Sequence, residues 1–288
     1  MIIVNLNGGL GNQMFQYAFG YALSQHCDQP LNLDLSTFES YELRNYALEP
    51  FNFKVDFATL EEVNHFKNPP KSLVQRLLSK VAKDSPSSFY QEPFFHFDPN
   101  ALQIRKDTFF VGYWQSEKYF LNYREDLLKQ FTLPAPLSDK AQKIKDQILD
   151  STSVSLHIRR GDYVSDSKTK AVHGVCSLEY YKKGMERIQN TDPDATFFIF
   201  SDDLAWAKEN LDFINKIKFV GLDKNAPDQE EVYLMSQCKH NIIANSSFSW
   251  WGAWLNENKG KIIIAPKQWF QDDAKDTKDL IPDSWVRI

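Results

Sequence analysis

The feature that most constrains this chain is its second half, where short β-rich runs alternate with helical stretches. The runs are residues 154–158, 196–200, 217–220, 242–244 and 262–265; helical spacing fills 178–189, 204–210, 229–238 and 248–256. Strands joined in sequence by helices pair in parallel, so the pattern predicts a parallel sheet covered on both faces. Ligands of such sheets bind beyond the carboxyl ends of the strands, where the winding reverses. Any polar motif that directly follows one of these runs is therefore a candidate site.

The first half carries the same theme more faintly. Ile3, Val4 and Leu6 alternate around Asn5 and Asn7, stop at Gly8-Gly9, and give way to helical spacing at Met14, Phe15, Tyr17, Ala18, Tyr21 and Ala22. Further strands are expected at 31–35 and 109–113, the latter followed by a helix through about Gln130. Residues 36–108 resist parsing apart from a helix at 72–81, with Pro69-Pro70, Pro86, Pro93 and Pro99 breaking the rest. Pro134 and Pro136 interrupt the pattern before a polar helix at 138–149, which divides the chain into domains 1–135 and 136–288. The fold class expected is α/β, GT-B-like, with two Rossmann-like domains facing a cleft and the parallel sheet best defined in the C-terminal half.

Composition narrows the functions. A formal net charge of −5 argues against a nucleic-acid partner, which needs a basic stripe. The aromatic content, with 22 Phe, 12 Tyr and 7 Trp, reads first as core and second as sugar-stacking surface. Cys27, Cys176 and Cys238 have no CxxC spacing, so neither a disulfide framework nor a zinc site is expected. The opening residues lack a basic n-region, and no apolar run approaches a membrane span. The expectation is a cytoplasmic protein without stable membrane insertion.

Four motifs follow predicted strands. His157-Ile158-Arg159-Arg160-Gly161-Asp162-Tyr163 ends the 154–158 run. Two guanidiniums suit a diphosphate, because each planar fork binds oxygens bidentately; the competing reading is a surface ion pair such as Arg159 with Asp162. Asn245-Ser246-Ser247-Phe248-Ser249-Trp250-Trp251 opens a helix, where backbone N–H groups and hydroxyls make an anion site or a plain helix cap. Gly8-Gly9-Leu10-Gly11-Asn12-Gln13 lacks the G-x-G-x-x-G spacing of a dinucleotide loop, with Asp34 the sole acidic residue at the next strand's end, yet it suits close approach to a sugar or diphosphate. Ser201-Asp202-Asp203 reads as helix capping with a ribose contact. The one Asp-x-Asp spacing, Asp192-Pro193-Asp194, falls in a turn at the opposite edge, so no metal and no cofactor are expected.

These motifs together resemble glycosyltransferase family 11, the α-1,2-fucosyltransferases, and more distantly the α-1,6- and protein O-fucosyltransferases. The likeness runs over nearly the whole chain, anchored at 5–18, 154–163, 197–203, 229–239 and 242–255. It implies an inverting enzyme that moves fucose from GDP-fucose to a galactose-terminated glycan, including a lipid-linked precursor at the inner membrane face. By the same resemblance domain 136–288 holds the donor. Arg159 and Arg160 meet the diphosphate, His157 lies near the guanine, and Asp202, Ser246, Ser247, Phe248 and Ser249 complete the donor site. Glu231 reads the guanine N1 and N2 hydrogens. Gly9, Gly11, Asn12 and Gln13, in domain 1–135, face the fucose or the acceptor. Asp162 is the first candidate for a general base, with His173 behind it.

Overall fold

The computed structural model describes residues 1–39, 44–67, 87–161, 172, 174–211, 216–271 and 275–288. The helix expected at 72–81 lies outside them, as do Asp162 and His173. The chain divides into two compact units, Met1–Phe131 with Lys278–Leu280, and Thr132–Thr277 with Ile281–Ile288.

The N-terminal unit holds a parallel sheet in the order β3-β2-β1-β5-β4, formed by β1 (Ile2–Asn5), β2 (Leu31–Asp34), β3 (Asp56–Phe57), β4 (Ser87–Gln91) and β5 (Asp107–Val111). β1 is central because all four of its residues are buried, and helix α1 (Leu10–Cys27) packs on it. Gly20 makes that packing close, since an added Cβ would stand 2.8 Å from Leu31 and 2.9 Å from Val4. Helix α2 (Leu60–Lys67) covers the other flank through Val63 and Phe66, which cluster with Ile3 and Phe109. This sheet is as regular as its counterpart, although the sequence shows it less well. β3 is two residues long and β4 is Ser-Ser-Phe-Tyr-Gln, an edge strand with little apolar alternation.

The helix expected between residue 113 and Gln130 is broken. The strand stops at Val111, Trp114 takes a left-handed φ of 55°, and two 3₁₀ turns (Glu117–Tyr119 and Leu121–Tyr123) precede α3 (Arg124–Gln130). The Ser116 hydroxyl accepts the Lys118 N–H and fixes the first turn.

The C-terminal unit holds a second parallel sheet, β11-β10-β9-β6-β7-β8, from β6 (Ser153–Ile158), β7 (Thr196–Ser201), β8 (Ile217–Phe219), β9 (His240–Ile242), β10 (Ile263–Ala265) and β11 (Val286–Arg287). Every residue of β6 is buried, as an inner strand covered on both faces must be. Its helices are α4 (Asp139–Leu149), α5 (Leu178–Gln189), α6 (Leu204–Asn210), α7 (Asp228–Gln237) and α8 (Ser247–Trp254). Glu230 ties two of them together by accepting the Ser138 N–H and hydroxyl at 2.6 and 2.7 Å. Gly252 brings α8 against α7, because a Cβ there would meet Met235 at 2.6 Å. Among the described residues no helix is long and apolar enough to cross a membrane.

Candidate functional site

Each sheet has one place where the winding reverses. In the C-terminal unit β6, β7 and β8 are laid outward in one direction and β9, β10 and β11 in the other, so the switch lies between β6 and β9. The Arg159-Arg160 segment follows β6 there, and the Ser246-Ser247 segment follows β9. Parallel sheets bind ligands at such a crevice.

The arginines are held by the motif after β7. Asp202 accepts the Arg159 guanidinium at 2.9 Å and the Arg160 backbone N–H at 2.9 Å. Asp203 caps α6 by accepting the Trp206 N–H at 3.1 Å, and lies 3.5 Å from Arg160 Nε. The Arg160 guanidinium stacks over the Trp206 ring at 3.9 Å, a contact the sequence did not flag. Gly161 is required here, since a Cβ would stand 2.6 Å from Asp202 Oδ2. The adjacent aspartates thus divide their work: Asp203 caps the helix and Asp202 orients arginines. Asp202, and not Asp162, is the partner recorded for Arg159.

His157 is buried on β6 with its Nδ1 unpartnered among the described residues, its ring 5.7 Å from that of Phe248. Burial and then the Arg159 charge push its pKa down to about 3, so the imidazole is neutral at any working pH. Glu231, in the first turn of α7, is raised to about 7 by burial and then by the charges of Asp228 and Asp202. Ser246 is the N-cap of α8 but makes no side-chain cap, and Ser247 begins the helix. Ser249 departs from the expected donor role: it is fully buried and its hydroxyl donates to the Ser246 carbonyl at 3.3 Å. Asn245 is likewise committed, donating to the Trp269 carbonyl at 3.1 Å.

In the N-terminal unit the winding reverses between β1 and β5. Gly9 is the N-cap of α1, with Arg44 Nε 3.6 Å from where its Cβ would lie, and Gly11 is buried in the first turn. Asn12 accepts the Gln115 side-chain amide at 2.8 Å, which joins the two loops at the switch. Gln13 corrects the sequence reading. It is fully buried, donates to the Gly8 and Asn45 carbonyls at 2.9 Å each and accepts the Ala47 N–H at 2.8 Å, so it braces the loop and faces no ligand. Gln16 braces the neighbouring loop, accepting the Asn7 N–H and donating to the Gly112 carbonyl at 3.0 Å each. Asp34, too, is spent internally on Asn5, Ser36 and Lys67.

Sequence reasoning missed the segment after β5. Glu92 accepts the Tyr113 and Trp114 N–H groups at 2.7 and 3.1 Å, and burial raises its carboxyl to about 7. The signal was available, since Gly112-Tyr113-Trp114-Gln115 follows a strand just as Gly8-Gly9 does. At the amino edge of the second sheet, Asp192 binds Lys239 and His240 at 2.8 Å each and Asp194 binds Lys216 at 2.6 Å. Among the described residues no cluster of three or more His, Cys, Asp or Glu side chains has metal-binding geometry.

This arrangement has relatives. The family model for Glycosyl transferase family 11 matches residues 1–288. An alpha-1,2-colitosyltransferase of Escherichia coli is 37% identical over 294 residues, covering 100% of this chain and 99% of that one. The O-antigen biosynthesis glycosyltransferase WbnK of Escherichia coli is 32% identical, covering 98% and 99%. Among solved structures, a variant of Arabidopsis thaliana FUT1 in complex with GDP superimposes with a TM-score of 0.52 at 12% identity, over 99% of this chain and 75% of that one. That likeness concerns the fold, which is GT-B-like with a parallel α/β sheet in each unit. The chain belongs to glycosyl transferase family 11 and is a glycosyltransferase.

Proposed function

We propose that this enzyme carries L-fucose from GDP-β-L-fucose to the 2-hydroxyl of a terminal galactose, with inversion to an α-1,2 linkage and without a metal ion. The C-terminal unit holds the donor and the N-terminal unit the acceptor glycan, free or as a lipid-linked precursor. The observation that carries the reading is the pair Arg159 and Arg160, held by Asp202 and Asp203 at the switch point beside the start of α8.

The chemistry needs such a pair. The acceptor oxygen bonds to C1 of fucose as the bond from C1 to the β-phosphate oxygen breaks, and GDP leaves with the electron pair. Negative charge grows on the phosphate. Two guanidiniums and the positive end of a helix stabilise it without Mg²⁺. Neutral His157, with its unpartnered Nδ1, suits a hydrogen bond to the guanosine. Glu231 as a carboxylate suits the guanine N1 and N2 hydrogens. Ser246 and Ser247 add donors at the start of α8, and Phe248 packs beside His157. Asn12, with Gly9 and Gly11, faces the sugars. Asp162 is the candidate to take the acceptor's proton.

A second donor is favoured by one finding. The 37% identical relative is named a colitosyltransferase, and colitose is the 3-deoxy counterpart of fucose. Turnover with EDTA separates the readings: GDP-fucose and GDP-colitose are each offered with lactose and N-acetyllactosamine, and product linkage is determined. An α-1,2-fucosylated galactoside is expected. Transfer from GDP-colitose alone moves the donor to the 3-deoxy sugar, and no binding of either donor overturns the reading.

A further inference from the structure

The carboxyl edge of the N-terminal sheet does not end at Tyr113. It continues to the outer strand β4, whose following loop runs from Glu92 to Asp98. That loop is anchored at both ends. Glu92 holds the Tyr113 and Trp114 N–H groups at its start. At its end the Asp98 carboxylate accepts the Tyr90 hydroxyl and the Asn100 N–H, the Asp98 N–H donates to the Tyr119 hydroxyl at 2.8 Å, and the Phe97 N–H donates to Asp279 at 3.1 Å.

Between these anchors the loop holds Phe94 out in solvent. The ring is 53% exposed and lies flat on His96, with centroids 4.8 Å apart and planes 9° from parallel. Tyr113, whose backbone Glu92 clamps, is 44% exposed at the end of the adjoining strand. An untethered loop would recover free energy by folding such a ring inward; this one is pinned so that it does not. The order along the edge is then Asn12, Gln115, Tyr113 and Phe94 with His96, amides giving way to aromatic faces.

We propose that Phe94, His96 and Tyr113 form a stacking subsite for the second sugar of the acceptor glycan, the one attached to the galactose that is modified. The inference rests on the acceptor role given above to this unit. A pyranose has an apolar C–H face and a wet rim of hydroxyls. Half-exposed, fixed aromatic rings match that face at little conformational cost, and a neutral sugar needs no charged partner. Asn12 and Gln115 would then lie toward the modified galactose, and the aromatic pair one sugar further out.

The test compares a monosaccharide acceptor, methyl β-galactoside, with the disaccharide N-acetyllactosamine, using whichever donor turns over. Wild type is expected to favour the disaccharide in kcat/KM. Phe94→Ala and Tyr113→Ala should each cut that preference about fivefold, the worth of one aromatic contact, and Phe94→Tyr should restore most of it. Should Phe94→Ala not fold, Phe94→Leu keeps the bulk without the ring and should lose the preference equally. An unchanged preference in the ring-less variants, with both acceptors still turned over, overturns the subsite and leaves the fucosyl-transfer reading standing. No turnover of any galactoside by wild type, with donor binding intact, overturns the acceptor reading and the subsite with it.

Discussion

The edge where β1 meets β5 and the edge where β6 meets β9 are built alike, each a reversal of winding in a parallel sheet with a loop from either side. Their chemistry is opposite. The second carries Arg159, Arg160, Asp202 and Glu231 beside a helix start. The first carries the amides of Asn12 and Gln115, the phenol of Tyr113 and stacked rings at Phe94 and His96. Its one buried carboxylate, Glu92, is turned onto backbone N–H groups. One architecture therefore supports two kinds of recognition, and the loops decide which. Charge suits a diphosphate that gains negative character as the bond breaks; amides and rings suit a neutral glycan.

The largest test of that contrast removes the charge. Arg159→Ala or Arg160→Ala deletes a charge-assisted bond of about 1.5–3 kcal/mol made mainly as the leaving group departs, which corresponds to a roughly ten- to hundredfold loss of kcat. Slow hydrolysis of the donor should fall in parallel with transfer, because both need the same leaving group. Steady-state rates of transfer and of donor hydrolysis measure this. If neither variant, folded, loses tenfold in either rate, the C-terminal edge is not where GDP departs.

A smaller effect is expected at the uncharged edge. Gln115→Ala removes the amide that orients Asn12, and a neutral hydrogen bond of about 1 kcal/mol predicts a five- to tenfold rise in acceptor KM. Donor KM should stay within about twofold. A variant that raised donor KM as much as acceptor KM would dissolve the division of labour between the two edges.

How far this division was legible in the sequence depends on distance along the chain. The β6 and β9 edges were readable because strand, arginines and hydroxyls are contiguous in each motif, and buried inner strands announce themselves by unbroken apolar runs. Asn12 and Gln13 look equivalent in sequence, yet one sits in the loop at the switch and the other is sealed inside by three backbone partners. The partners of Gln13 come from residues 45 and 47, in a stretch without helical or strand period, so nothing local distinguished them. Gln115 is 103 residues from Asn12, and only the pairing of β1 with β5 brings them together. Asp202 and Asp203 were likewise indistinguishable until the path of β7 into α6 gave one the helix cap and the other the arginines. β4 stayed hidden because an edge strand needs few apolar residues, and with it went Glu92 and the aromatic loop.

The smallest effect is a pH dependence confined to one edge. Glu231 is raised to about 7 by burial, then by Asp228 and Asp202, while a guanine whose N1–H and N2–H both donate requires it ionised. Donor affinity is then complete above pH 7 and falls as the carboxyl gains its proton below it. With a folded-state value near 7, donor KM should rise about fourfold between about pH 8 and about pH 6.5. His157 cannot mimic this, because its pKa lies at about 3. Glu231→Gln offers an amide whose N–H groups face guanine donors, so its KM should be higher and flat across the same range. The N-terminal edge provides the control, since Glu92 also titrates at about 7 but holds only backbone N–H groups. Acceptor KM should respond to Glu92→Gln, and the donor profile should not. A donor profile that flattened with Glu92→Gln and kept its slope with Glu231→Gln would assign the proton to the wrong edge and reverse the comparison.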